Sequence, residues 1–254
     1  MRVHPFLLVA AATGCLPSPP SSKPQLGISH GQERPACQVD LTAGRTPYAM
    51  PQVVGSGWGT PVSLGAPLTT PCPEDAIEIS PDGTALYFYW SPMVGASFDE
   101  LLHGTTGTYV SHRVGTDPGS FGPPHFFDLR AGARDGACDG EPSFSPDGSQ
   151  VYFHSTRAEN TGYGRSPVVD DPMDIYVATV TDGRPGPAEN LGEPVNSVYL
   201  DGEHALSPDG TRLYLSSTRP GGLGGVDIWV SMRGPNGWGT PVNLGAPINS
   251  PSAE

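Results

Sequence analysis

Residues 203–231 read EHALSPDGTRLYLSSTRPGGLGGVDIWVS, and their pattern decides the fold class. Ser207-Pro208-Asp209-Gly210 has Pro where φ must be near −65°, Asp at a bridge-region position and Gly last, which is the chemistry of a type I turn. Leu213, Tyr214 and Leu215 follow as a short apolar strand. The Gly221–Gly225 run breaks it, and Asp227-Ile228-Trp229-Val230 starts another. The stretch therefore predicts three β-strands joined by two turns.

Looser copies of this unit lie upstream. Ser80-Pro81-Asp82-Gly83 and Ser145-Pro146-Asp147-Gly148 repeat the turn, with spacings of 65 and 62 residues along the series. A period of this size marks an array of supersecondary units. Each turn is preceded by a short strand (76–79, 142–144, 204–206) and followed by an aromatic-rich one (86–89, 151–154, 213–215). A third strand comes later (108–111, 174–179, 227–231). Between copies lies a fourth element, seen in 58–68 (WGTPVSLGAPL) and 238–248 (WGTPVNLGAPI), identical at nine of eleven positions. Weaker copies begin near Phe121 and Pro185, the latter ending in Asn190-Leu191-Gly192-Glu193-Pro194-Val195-Asn196-Ser197. Four strands per repeat predict an all-β chain.

At these residues the chain resembles the TolB-like, WD40-like β-propeller repeat of exported bacterial proteins: a Ser-Pro-Asp-Gly turn, an aromatic strand, an Arg/Gly-rich loop and Asp-Ile-Trp/Tyr. The last repeat matches best. The second keeps Ser155-Thr156-Arg157, Gly162, Gly164 and Asp174-Ile175-Tyr176 but inserts 166–172, and the first lacks the Arg and the Asp-Ile pair. The resemblance covers 58–254 and implies a propeller of four-stranded blades, near 58–120, 121–184 and 185–237, with 238–254 starting a further unit. It specifies the fold and is nearly silent on function. Three repeats are fewer than the four to eight blades of a typical closed ring, so an incomplete or open propeller is expected. Truncation of a longer reading frame is the preferred explanation. A degenerate blade within 25–57, with strands at 38–41 and 52–54, or pairing of open edges with another chain, are the alternatives.

Lys and Arg number 13 against 26 Asp and Glu, a net charge of −13, which is the wrong sign for nucleic acid or an anionic lipid surface. The N-terminus, MRVHPFLLVAAATGC, has one basic residue and an apolar run too short to span a bilayer, and so reads as an export signal. Residues 12–15, Ala-Thr-Gly-Cys, resemble the end of a bacterial lipoprotein signal, which implies lipidation of Cys15; cleavage near 10–12 is the alternative. Residues 16–57 form a Pro/Ser-rich tether and irregular leader. The expected location is the periplasm or cell surface, with a lipid anchor in the outer membrane as the sole membrane attachment. With Cys15 lipidated, Cys37, Cys72 and Cys138 remain. Cys72 and Cys138 precede equivalent turns by eight and seven residues and are the disulfide candidates.

Acids recur before the inner strands: Glu74 and Asp75, Asp139 and Glu141, Asp201 and Glu203, and Glu254. At one mouth of a propeller channel they would form a ring able to bind a cation or a basic peptide. The plainer reading is that Asp139-Gly140 and Asp201-Gly202 make turns with solvated flanking acids. Asp82, Asp147 and Asp209 lack the alternating ligand spacing of a calcium loop and read as turn residues. Asp170-Asp171-Pro172-Met173-Asp174 is the densest acidic cluster, with a weak Ca²⁺ as its outside reading. Arg157 and Arg219 are expected to pair with Asp174 and Asp227 of their own repeats. Gly27-Ile28-Ser29-His30-Gly31 matches a nucleophile-elbow spacing but has no strand and helix around it. The seven histidines show no ligand spacing, so no metal, cofactor or catalytic residue is assigned.

The sequence thus predicts a non-catalytic exported propeller that binds protein or glycan at the bacterial cell envelope, with Glu74, Asp75, Asp139, Glu141, Asp201 and Glu203 as the ligand face. Its state as monomer or edge-paired oligomer stays open. The alternative is the propeller part of a secreted hydrolase or lyase, because propellers also form glycan-cleaving enzymes and gate prolyl peptidases.

Overall fold

The computed structural model describes residues 62–91, 106–117, 119–131, 137–162 and 173–253. The leader with Cys15 and Cys37, Gly27–Gly31, Trp58, Asp170, Asp171 and Glu254 lie outside these residues. Three antiparallel sheets follow one another along the chain. The first is β1 (Glu74–Ile79), β2 (Ala85–Trp90), β3 (Gly107–His112) and β4 (His125–Phe126); the second is β5 (Asp139–Phe144), β6 (Gln150–Ser155), β7 (Asp174–Thr181) and β8 (Arg184–Asn190). The third is β9 (Asp201–Leu206), β10 (Arg212–Ser217) and β11 (Asp227–Gly234), with β12 (Gly237–Trp238) and β13 (Val242–Asn243) both on β11. Strand β5 contacts both β1 and β9, so the three inner strands stand side by side as consecutive blades of an open propeller. No helix occurs among the described residues, so none is long and apolar enough to cross a membrane.

The period of two along each second strand builds the core, because alternate side chains face opposite neighbours. Val151 and Phe153 of β6 pack towards the first blade, in a cluster with Ala85, Tyr87, Val110, Phe127 and Leu129. Tyr152, between them, packs towards the third blade with Leu213, Leu215 and Trp229. On the far face of the first blade, Leu86, Phe88 and Trp90 pack with Leu68, Cys72 and Tyr109. The aromatic strands are thus the layers that hold blade to blade. Trp238 edges onto Tyr152 with ring centroids 6.1 Å apart. Cys72 and Cys138 are both disulfide-bonded. Cys72 packs with Leu86, Phe88 and Trp90, and Cys138 against Tyr89.

The three Ser-Pro-Asp-Gly segments form the expected turns by one repeated hydrogen-bond pattern. In the first, the Ser80 hydroxyl donates to Asp82 Oδ1 at 2.6 Å, and the Thr84 N–H and hydroxyl donate to the same oxygen at 3.0 and 2.8 Å. Ser80 Oγ also accepts from Ala85 N at 2.9 Å, which ties the turn to β2. Asp147 and Asp209 repeat the arrangement with Ser145 and Ser149, and with Ser207 and Thr211. The closing glycines have φ of +72°, +69° and +68°, a region costly for other residues.

A second repeated device closes the second and third blades from outside. Asn196 Oδ1 accepts from Ile175 N and its Nδ2 donates to Ile175 O, both at 2.9 Å, so the side chain extends the sheet as a peptide would. Asn249 does the same to Ile228 at 2.9 Å on both sides. The sequence likeness of 190–197 to 243–250 is explained by this docking.

The hydrogen bonds from the serine hydroxyl, then from the residue two on, hold the carboxyls of Asp82, Asp147 and Asp209 down at about 2. Since the folded pKa lies below the unfolded one, their contribution to stability is complete above about pH 4 and is lost as pH falls through 2. Carboxylate carbon shifts followed by NMR should show three aspartates with midpoints near pH 2; ordinary midpoints would mean the turns are not formed this way.

Candidate functional site

Each inner strand begins with a buried or half-buried acid and then bulges. The β1–β2 register shifts between Asp75 and Glu78, the β5–β6 register between Gly140 and Ser143, and the β9–β10 register between Ala205 and Gly202. The residue at the bulge is left-handed in all three blades: Ala76 at φ 51°, Glu141 at 55° and Glu203 at 40°. Asp139-Gly140 and Asp201-Gly202 are therefore strand residues ahead of a bulge, which corrects the reading of them as turns. A bulge re-aims the side chains that follow it.

The six predicted acids separate into two sets. Glu74, Asp139 and Asp201 hold the blades together. The Thr70 N–H donates to Glu74 Oε1 at 3.0 Å, joined by the Thr70 hydroxyl. Ser197 repeats this on Asp201 Oδ2, with its N–H and hydroxyl both at 2.6 Å. Asp201 is 0% exposed and pairs with Arg219, itself 11% exposed; the Ser217 hydroxyl donates to the same carboxylate at 2.6 Å. Asp139 sits 3.3 Å from Arg157 Nη2. Burial, only partly offset by Arg157, pushes the Asp139 carboxyl above its ordinary range.

These pairs correct the expectation that Arg157 and Arg219 would bind Asp174 and Asp227. Asp174 Oδ2 instead accepts from Thr161 N at 2.6 Å, Thr161 Oγ1 at 2.8 Å and Asn190 Nδ2 at 2.8 Å. Asp227 Oδ2 accepts from Leu223 N at 2.9 Å and Gly224 N at 3.2 Å. The glycine run wraps that carboxylate so tightly that a Cβ at Gly222 would fall 1.7 Å from it, so the loop is fold punctuation. The arginines also lie over rings, Arg157 at 5.0 Å from the Tyr176 centroid and Arg219 at 5.5 Å from Trp229.

The second set is Asp75, Glu141 and Glu203, one from each blade, and their charges act on one another. Burial raises the Asp75 carboxyl, with Glu141 adding to it against the Ala76 backbone. Glu203 is surface-exposed, yet desolvation by the surrounding strands raises its carboxyl too, and the like charges of Glu141 and Asp75 add to it. Between them stand two histidines that sequence reasoning did not single out. His154 is 2% exposed, and its Nδ1 lies 3.4 Å from Glu141 Oε2. Burial opposes its charge, yet Glu141, then Glu203 and Asp139, hold its pKa above the ordinary value. Glu141 responds in the opposite sense: burial is outweighed by His154 and His204, and its carboxyl is lowered.

His204 is 6% exposed. Burial, reinforced by His154 and countered by Glu141, depresses its pKa to about 4, so its ring is neutral at ordinary pH. Neither of its ring nitrogens has a hydrogen-bond partner within normal geometry. One donor atom each from Glu141, His154 and His204 lies within 4.8 Å of the others. Stacking the repeats carries a signal for this. His154 occupies the slot of Tyr89 and Ser216, since the three pair with Gly140, Asp75 and Gly202.

No family model matches the chain, and no curated protein matches it. Among solved structures it is similar to TolB from Acinetobacter baumannii, at 17% identity over 66% of this chain and 32% of that one, with a TM-score of 0.36. A prolyl endopeptidase shares 17% identity over 68% of this chain and 22% of that one, TM-score 0.39. A thermostable family-43 glycoside hydrolase shares 22% over 69% and 58%, TM-score 0.34. The chain spans about a third or less of the length of the first two, and likenesses this slight do not bear on activity.

The division of the acids has a direct consequence. Asp201→Ala removes a fully buried carboxylate together with its bonds to Arg219, Ser197 and Ser217 and should cost about 3–5 kcal/mol, whereas Glu203→Ala, on an exposed side chain among like charges, should stay within about 0.5 kcal/mol. Urea unfolding of the two variants separates these outcomes, and equal losses would contradict the division.

Proposed function

We propose that the chain is a non-catalytic, exported binding module of the bacterial cell envelope, lipid-anchored through Cys15, whose ligand face is the inner-strand surface bearing Asp75, Glu141 and Glu203. The observation that carries this reading is the convergence of three mutually repelling carboxylates, one per blade, on adjacent strands. Desolvation and like charge both raise Asp75 and Glu203, so a positively charged partner group relieves a repulsion already present. A basic segment of an envelope protein, or a glycan with a cationic substituent, has the complementary chemistry. Export and anchoring rest on the N-terminal signal with its Ala-Thr-Gly-Cys ending.

The test is capture from envelope extract by the immobilised chain, compared with Asp75→Asn/Glu203→Gln and repeated in high salt. A specific partner should be retained by the native chain and reduced at least fivefold both by the double variant and by salt. Capture indifferent to both changes, or no capture with an unreactive glycan array, would remove the reading.

A further inference from the structure

We propose that Glu141, His154 and His204 form a binding site for one divalent transition-metal ion of the zinc class. Two imidazoles and a carboxylate are a borderline-soft N₂O donor set, suited to Zn²⁺ and its neighbours and poorly suited to Ca²⁺ or Mg²⁺. The three donor atoms come from two inner strands and one second strand and lie within 4.8 Å of one another. Bond lengths of about 2.0–2.2 Å put tetrahedral donors about 3.3–3.5 Å apart, so closure needs a movement of about 1 Å, within reach of side-chain rotation.

The independent observation is His204. An imidazole 94% removed from solvent, with both nitrogens lacking a hydrogen-bond partner, is costly unless something binds it. The Glu141–His154 pair explains those two residues by themselves; it leaves His204 unexplained. A metal ion accounts for all three: it takes a lone pair from His204 and from His154 and neutralises Glu141. Glu141 is half-buried, with its side chain 19% exposed, so solvent reaches one side of the site. Three protein ligands and one open position fit a bound water or a ligand group.

The site shares Glu141 with the acidic face but does not depend on that face binding a partner, and its test uses the purified chain alone. The full chain, stripped with chelator and dialysed, is titrated with Co²⁺ and followed by its visible d–d absorption, then with Zn²⁺ in competition. One equivalent should bind, with absorption characteristic of four- or five-coordination, and saturating Zn²⁺ should raise Tm. Glu141→Gln and His204→Phe should each weaken binding at least 100-fold, while His125→Gln, on an exposed strand position, should bind as the native chain does. His204→Phe fills the buried volume without a donor, so it should melt no lower than the native chain in chelator. Failure of the native chain to bind one equivalent overturns the proposal. Retention of Co²⁺ absorption or of the Zn²⁺-dependent Tm shift in either variant overturns it equally.

Discussion

The bulge in each inner strand is the constraint on which the remaining structure depends. Its first residue is pinned by a carboxylate, through Thr70 on Glu74, Arg157 on Asp139 and Arg219 with Ser217 on Asp201. Two residues later the backbone enters the left-handed region, at a cost of order 1 kcal/mol or more for a residue with a side chain. That conformation persists in three blades because the strand is held on both sides of it, by the acid before and by the Ser-Pro-Asp-Gly turn after. Without the pinned acid the strand could relax into regular pleating, and each following side chain would change face. Glu141, His154 and His204 would then lose their common position.

The buried ion pairs therefore serve register more than raw stability. Taking a carboxylate and a guanidinium out of water costs several kcal/mol per ion, which Coulomb attraction alone does not reliably recover. Here the cost is spread over hydroxyl and backbone donors and over the rings of Tyr176 and Trp229 beneath the arginines. The Ser-Thr-Arg sequence before the glycine loop is thus part of the inner strand's closure. It reaches across the blade to the strand that begins the same repeat, and it leaves Asp174 and Asp227 to cap their own loops.

Much of the fold was legible because turn chemistry and period-two patterning are local. The Ser-Pro-Asp-Gly turns, the aromatic second strands and the Asp-Ile third strands all stand where their residues indicated. The inner strands were read too short, beginning at 76, 142 and 204 in place of 74, 139 and 201, because Asp-Gly is also a turn signal and a bulge has no composition of its own. The partners of Arg157 and Arg219 were misassigned for a related reason: sequence proximity favours the acid in the following strand, while antiparallel pairing of the first two strands sets the opening acid beside the end of the second strand, next to the arginine. The acids of the candidate site were visible as a recurring pattern. The histidines were not, because His154 and His204 are separated by fifty residues and meet only when two blades pack.

The central claim is that adjacent blades bring the buried rings of His154 and His204 together beside Glu141. Histidine side-chain NMR on the chelator-treated chain tests it most directly, through NOEs between ring protons and through ring-nitrogen shifts across a pH series. The account predicts an NOE between the His154 and His204 rings, with His204 remaining neutral until pH falls to about 4. Absence of that NOE, with both rings titrating near the ordinary value of about 6.5, would contradict it.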